Sequence, residues 1–324
     1  MVSVAVVGAT GVVGETILRV LEERRVPVER VGKFASRARN GVEAASADAL
    51  REFDVVFFAG GEDASETYAP ALLERGAVVI DNSSTFRMRD DVPLVIPEVN
   101  ANVVRGDHRL FPVANCTAII LCTALAPVRD TAGLRCVRVA TYQAASGAGR
   151  AGLDELIAGE RAAVSGEAEP EPKTFPARLA RNVIPQVGRF EASGYCGEEE
   201  KVRDETRKML GLPALLVSAT TVRVPVRTAH SEAVWFETER DTSVEELAAA
   251  FDRAPGVVFH SEGIVTPRDV EGRDAVHVAR VRREDETSKR HFVLWCAGDQ
   301  LRKGAATNGV QILELLLARG FLQS

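Results

Sequence analysis

Hydrophobic positions fall into two regimes along the chain. In the first, short fully apolar runs alternate with amphipathic stretches. Val2 to Val7 is a β-branched run, and Ile17, Leu18 and Leu21 follow at helical spacing. A second strand is expected over about Arg30 to Ala35. Asp54 to Gly61, DVVFFAGG, is apolar on both faces and ends in glycines, which suits a buried parallel strand with a ligand at its carboxyl edge. A helix over about Ala64 to Arg75 and a strand over Ala77 to Ile80 continue the alternation, and Leu94 to Asn100 and Leu110 to Ala114 read as two more strands. This order predicts an α/β domain on a parallel sheet, ending near residue 115.

The second regime opens with Ala118 to Ala126, an apolar run that predicts a buried helix. Arg135 to Ala145 alternates as a half-buried strand, and a helix is expected near Leu153 to Val164. Gly166 to Lys173, GEAEPEPK, reads as an exposed loop and Glu198 to Met209 as a charged helix. Strands over Leu215 to Val226, Glu232 to Glu239, Val276 to Arg282 and Arg290 to Ala297, with a helix over Ser243 to Arg253, predict an α+β domain with a mostly antiparallel sheet. The chain closes with Gly304 to Gly309 and an amphipathic helix, Val310 to Ala318.

Composition narrows the class of protein. With 324 residues, 46% of them hydrophobic, there is material for two domains, and a net charge of -6 offers no basic footprint for nucleic acid. Five cysteines without a CxxC pair argue against a disulfide framework and suit a reducing cytosol. Met1 leads directly into a strand pattern without a cleavable leader, and no apolar run reaches membrane-spanning length. The expectation is a cytoplasmic protein without membrane or metal.

Candidate chemistry lies at three places. Gly8-Ala9-Thr10-Gly11-Val12-Val13-Gly14 sits between a strand and a helix, the context in which backbone N–H groups meet a pyrophosphate. About 20 residues on, where an acidic residue would hold a ribose hydroxyl, Lys33 to Gly41 has none. Ser36, Arg37 and Arg39 suit a 2′-phosphate, so NADP is expected rather than NAD. Asp81-Asn82-Ser83-Ser84-Thr85-Phe86-Arg87 is a polar loop at a strand end. Cys116, between Asn115 and Thr117, stands at the start of the buried helix, where unpaired N–H groups and the helix dipole favour a thiolate. His230, after Arg223-Val224-Pro225-Val226, is the candidate proton shuttle, whereas His108, His260, His277 and His291 read as surface histidines. A nucleotide domain followed by a cysteine at a helix start suggests an oxidoreductase that works through a covalent thioester or thiohemiacetal.

GATGVVG, DNSSTFR, VPLVIPEVN, the NCT around Cys116, QAASGAG, the EEEK at Glu198 to Lys201, RVPV before His230, and GAATNGVQI together resemble the aspartate-β-semialdehyde dehydrogenase family, in order over nearly the whole chain. The resemblance implies a Rossmann-type NADP-binding domain (residues 1–115) to which a C-terminal helix (304–324) returns. It also implies a catalytic and dimerisation domain (116–303) and a homodimer or homotetramer. The implied reaction is NADPH-dependent reductive dephosphorylation of L-aspartyl-4-phosphate to L-aspartate 4-semialdehyde and phosphate, toward lysine, threonine, methionine and isoleucine. Carried over by position, Cys116 is the nucleophile, His230 the acid/base and Gln143 the residue orienting the intermediate. Arg223 clamps the substrate carboxylate and Glu198 its ammonium; Arg87, Asn115 and Lys201 hold the phosphate. Ser146, Gly147 and Asn308 line the cofactor near its nicotinamide. Relatives often read SARSAG where this chain has SRARNG, which leaves open whether Arg37 or Arg39 meets the 2′-phosphate; Glu200 stands where an aromatic is common. N-acetyl-γ-glutamyl-phosphate reductase shares this plan, but its cysteine usually follows Pro-Gly, absent here. A silent NADP-binding relative is the remaining alternative.

Overall fold

The structure, a computed structural model, describes residues 2–322 and divides after Asn115 and again before Ala305. Residues up to Asn115, with those from Ala305 on, form one compact unit, and Cys116–Gly304 form the other.

In the first unit the apolar runs become β1 (Val2–Val7), β2 (Val28–Ala35), a two-residue β3 (Glu43–Ala44), β4 (Val55–Phe58), β5 (Val78–Asp81) and β6 (Leu110–Pro112). Between them lie α1 (Val12–Glu23), α2 (Ala47–Leu50), α3 (Glu62–Glu74) and α4 (Pro97–Asn100). The sheet order β3-β2-β1-β4-β5-β6, parallel throughout, is the doubly wound arrangement expected from the alternation. β1 and β4 are buried along their whole length because helices cover both faces.

The segment from Leu94 to Asn100 is not the strand expected. Leu94, Val95 and Ile96 are buried, but Pro97 starts a helical turn with its preset φ and missing N–H. Asn100 satisfies the backbone that a neighbouring strand would have paired: its Oδ1 accepts from Ile96 N–H at 2.9 Å and its Nδ2 donates to the Leu94 carbonyl at 2.9 Å.

The second unit begins with α5 (Cys116–Ala132), apolar almost all round and therefore central. It continues with β7 (Cys136–Gln143), α6 (Gly149–Ser165), α7 (Gly197–Leu210), β8 (Leu216–Arg223), β9 (His230–Glu237), α8 (Val244–Arg253), β10 (Val257–His260), α9 (Pro267–Val270), β11 (Val276–Arg283) and β12 (His291–Gly298). The six-stranded sheet runs β10-β11-β12-β9-β7-β8. Its three central pairings are antiparallel and its two outer ones parallel.

β10 and its histidine correct the surface reading of two residues. His260 Nε2 lies 2.9 Å from His277 Nδ1 across the β10–β11 pair, and the rings stack. After the π-helical turn Arg302–Ala306, the closing helix α10 (Thr307–Ala318) belongs to the first unit, where Gln311 bonds Glu98 at 2.7 Å and Arg24 pairs with Glu314 at 2.7 Å. Among the described residues no helix is long and apolar enough to cross a membrane.

Candidate active site

Side-chain alternation decides which residues of the second unit meet. On β7, β8 and β9 the register pairs Gln143 with Arg223 and Thr141 with both Thr221 and Glu232, while β9 pairs with β12 at His230–Gly298 and Glu232–Cys296. With period 2, Arg223, Gln143 and His230 therefore point to one face as a row at the strand ends, and Thr221, Thr141, Glu232 and Cys296 form a second row behind it. All seven are nearly or fully buried.

The first residue of α5 completes the constellation. Cys116 Sγ lies 3.6 Å from His230 Nε2, and the thiol is only partly buried while the imidazole is fully so. Burial, then the charge of Arg223, push the His230 pKa down to about 3, against a smaller opposing influence from the Ala229 backbone. The Arg223 guanidinium is pulled below its usual range by burial, with Glu198 and Cys116 acting the other way. Its Nη1 donates to the Ala144 carbonyl at 2.6 Å, and the group lies 5.6 Å over the Phe175 ring.

Gln143 has both ends of its amide assigned. Its Oε1 accepts from Thr141 Oγ1 at 3.1 Å and its Nε2 donates to Glu198 Oε1 at 3.0 Å. Glu198 is held there by its neighbour: Glu199 Oε2 accepts from Cys196 N–H at 2.8 Å and its Oε1 from Thr221 N–H at 2.9 Å, which pins the start of α7 to the sheet. Lys201 is exposed on the same helix.

Gly147 belongs in this group by close approach. A Cβ there would stand 2.9 Å from Arg223 Nη1 and 3.1 Å from His230 Cε1, and one on Gly304 would stand 2.9 Å from Cys116 Cβ. Ser146 is tied to Gln300, whose Nε2 donates to the serine hydroxyl at 2.6 Å while its Oε1 accepts from Ala229 N–H at 2.7 Å.

The remaining candidates belong to the first unit. A cavity of about 480 Å³ at the carboxyl ends of β1, β2 and β4 is lined by Gly8, Thr10, Gly11 and Ser36. It is also lined by Gly60, Asp63, Thr67 and Tyr68 from the β4–α3 connection. The glycines are required: Gly8 has φ +86°, and a Cβ on Gly14 would fall 2.2 Å from the Gly8 carbonyl oxygen. Val12 and Val13 do not line the cavity, but they open α1, whose first N–H groups have no intrahelical partner, so the residues present fit a dinucleotide phosphate. Arg37 and Arg39 do not line it either. Both are exposed, Arg39 on a tight Asn40-Gly41 hairpin closed by its own bonds with Val42 at 2.9 and 2.7 Å.

The polar loop after β5 is organised by Asp81, which accepts from the Ser65 and Ser83 hydroxyls at 2.6 Å each. Arg87 is buried and donates from Nη2 to the Asn82 carbonyl at 3.0 Å. Asn115, the last residue before α5, is buried, and Asn308 on α10 donates to the Val95 carbonyl at 2.8 Å.

Thr141, Ala144, Phe175 and Gln300 carry no motif of their own as single residues. Register alone identifies Thr141, and Ala144 acts only through its backbone.

A glycine-lined cavity at the strand ends of one unit and a helix-start cysteine against a buried histidine in the other suit an oxidoreductase of the semialdehyde dehydrogenase class. Two family models match accordingly: the semialdehyde dehydrogenase NAD binding domain over residues 3–106 and the semialdehyde dehydrogenase dimerisation domain over residues 125–303. Aspartate-semialdehyde dehydrogenase of Aquifex aeolicus is 40% identical over 98% of this chain and 99% of its own. Aspartate-semialdehyde dehydrogenase 2 of Vibrio cholerae is 40% identical over 97% of each. A crystal structure of aspartate semialdehyde dehydrogenase II complexed with ASA from Vibrio cholerae superposes with a TM-score of 0.93 at 38% identity, covering 98% of both chains. The chain belongs to the aspartate-semialdehyde dehydrogenase family.

Proposed function

We propose that this chain reduces L-aspartyl-4-phosphate with NADPH to L-aspartate 4-semialdehyde and phosphate, a step toward lysine, threonine, methionine and isoleucine. The observation that carries this reading is the partly exposed Cys116 thiol at the head of a buried helix, 3.6 Å from the buried His230 imidazole.

When bound, the reduced nicotinamide supplies hydride. Cys116 attacks the acyl phosphate and holds the acyl group as a thioester; the helix N-terminus and the Arg223 charge favour its thiolate. Gln143, fixed at both ends of its amide, orients the bound acyl group, and His230 serves the sulfur and the oxygen beside it. Arg223 takes the substrate carboxylate, Glu198 the ammonium, and Arg87, Asn115 and Lys201 the phosphate. Gly8, Thr10, Gly11, Val12 and Val13 hold the pyrophosphate, Ser36 with Arg37 or Arg39 the 2′-phosphate, and Ser146, Gly147 and Asn308 the nicotinamide end. Residues 1–115 with 304–324 form the NADP-binding domain and 116–303 the catalytic and dimerisation domain of a cytoplasmic homodimer or homotetramer.

Support for self-association comes from the second sheet. Helices α5, α7 and α8 pack on one face, while Tyr142 (38% exposed), its ring 5.3 Å from that of Trp295, and Leu216 (61%) point from the other. A second copy is the occupant of that face, in keeping with the dimerisation-domain match.

The test is phosphate-dependent reduction of NADP by aspartate semialdehyde, run beside the N-acetyl-γ-glutamyl series. Turnover confined to the aspartyl series supports the reading. Turnover confined to the acetylglutamyl series, or cofactor binding without turnover of either, overturns it.

A further inference from the structure

The Gln143 amide is the middle of a chain of side-chain bonds whose two ends are held by consecutive peptides of β8. Thr141 and Gln143, two apart on β7, share one face, and both are buried. Val222 N–H donates to Thr141 Oγ1 at 3.2 Å, and the threonine hydroxyl donates to Gln143 Oε1 at 3.1 Å. Gln143 Nε2 then donates to Glu198 Oε1 at 3.0 Å, on a helix whose start is tied to the sheet by the bond from Thr221 N–H to Glu199. Val222 N–H thus reaches inward to β7, while Thr221 N–H reaches α7 at the edge of the sheet.

The kinds of donor and acceptor make this chain run one way. A backbone N–H only donates, so it occupies a lone pair of the Thr141 hydroxyl and leaves the hydroxyl hydrogen for the next acceptor. At the other end a carboxylate only accepts, so Glu198 takes the amide nitrogen. Turned over, the Gln143 amide would set its oxygen against the Glu198 carboxylate, two acceptors with no proton between them. In the observed orientation the buried Gln143 oxygen finds its donor in the Thr141 hydroxyl.

We propose that Thr141 is the positioning residue for Gln143: its hydroxyl, held by the Val222 amide, fixes the Gln143 amide with its oxygen inward and its nitrogen toward Glu198. Through that amide it places the two groups that orient the acyl chain and receive the substrate ammonium. This role rests on the reading of Gln143 and Glu198 as groups that meet substrate, and Thr141 itself meets none. Valine at 141 keeps the branched shape that suits a strand but offers no hydrogen, so the Gln143 oxygen is left buried without a donor and the amide is released to turn. Serine keeps the hydroxyl and loses only the methyl. Cysteine offers a weak donor of similar size, so the three variants form a graded series.

The test has two arms on the full-length enzyme. In the first, glutamine side chains are labelled with nitrogen-15, the Gln143 signals being those missing in Gln143→Ala, and the exchange of its amide hydrogens with solvent is followed. Thr141→Val should speed that exchange about tenfold, the factor a hydrogen bond of ordinary net strength supplies, with Thr141→Cys between it and the parent and Thr141→Ser near the parent. Exchange unchanged in the valine and cysteine variants overturns the proposal. This arm needs no turnover, so the expected series in an enzyme inactive on aspartate semialdehyde supports the positioning role and counts against the functional reading alone. In the second arm, kcat/KM for the semialdehyde should fall about tenfold in Thr141→Val and recover in Thr141→Ser, while in a Gln143→Ala background the valine should bring no further loss beyond about twofold. The same loss in both backgrounds contradicts the proposal, because a threonine that merely supports its strand would act whether or not the amide is present; where the valine does not fold, the cysteine serves in the same comparison.

Discussion

Cys116, Arg223 and Gly147 each make a distinct claim. Cys116→Ser should lower turnover at least about a thousandfold with the thermal midpoint nearly unchanged, because a serine hydroxyl ionises far less readily than a thiol and is the weaker nucleophile. Arg223→Lys keeps the charge but loses the planar fork. Steady-state kinetics should show KM for the semialdehyde raised at least about tenfold, a shift the lysine would not produce if the residue merely capped its strand. Gly147→Ala places a methyl 2.9 Å from Arg223 Nη1 and 3.1 Å from the His230 ring, so steady-state kinetics should show kcat/KM for the semialdehyde reduced. Cys116 and His230 stand out in the chain as reactive types in a recognisable setting, whereas Arg223 is named only through the family resemblance. The chain concealed Thr141, whose bond to Gln143 is a matter of strand geometry, and Ala144, whose contribution is a backbone N–H and carbonyl.

Elements were legible where one pattern ruled and illegible where backbone groups found local partners. β1, α1, α5 and α8 lie where hydrophobic spacing puts them, and α8 is closed by Ser243 as its N-cap. The apolar run at Leu94 read as a strand, but Pro97 and the two bonds of Asn100 made it a turn. The EEEK stretch reads as the start of a charged helix, and within it Glu199 turns inward and holds two backbone N–H groups. Glu199→Ala should therefore cost about 2–4 kcal/mol in urea unfolding, the penalty for leaving those donors unsatisfied, whereas exposed Lys201→Ala should leave stability nearly unchanged. At the nucleotide turn, Gly14→Val should abolish cofactor binding by calorimetry, because even a Cβ would overlap the Gly8 carbonyl oxygen.

For the whole molecule, pH reports what is buried. Glu232 is fully buried beside Cys296, with burial raising its pKa well above the usual range against the smaller effect of that contact. The folded state thus binds a proton that the unfolded chain releases above about pH 4.3, so this residue's contribution to stability declines as pH rises from there toward the raised pKa. In Glu232→Gln that decline disappears, and the variant's thermal midpoint should gain on the parent's between about pH 5 and 8. The domain order was legible because parallel-sheet and mixed-sheet regions differ in strand pattern; the histidine pair on β10 and β11 was not, because it depends on which strands adjoin. Covalent catalysis by the intact enzyme is tested most directly by quenching turnover and weighing the protein and its peptides. Expected is an acyl adduct confined to the peptide bearing Cys116 and absent in Cys116→Ser. An adduct on any other residue, or full turnover by the serine variant, would contradict it.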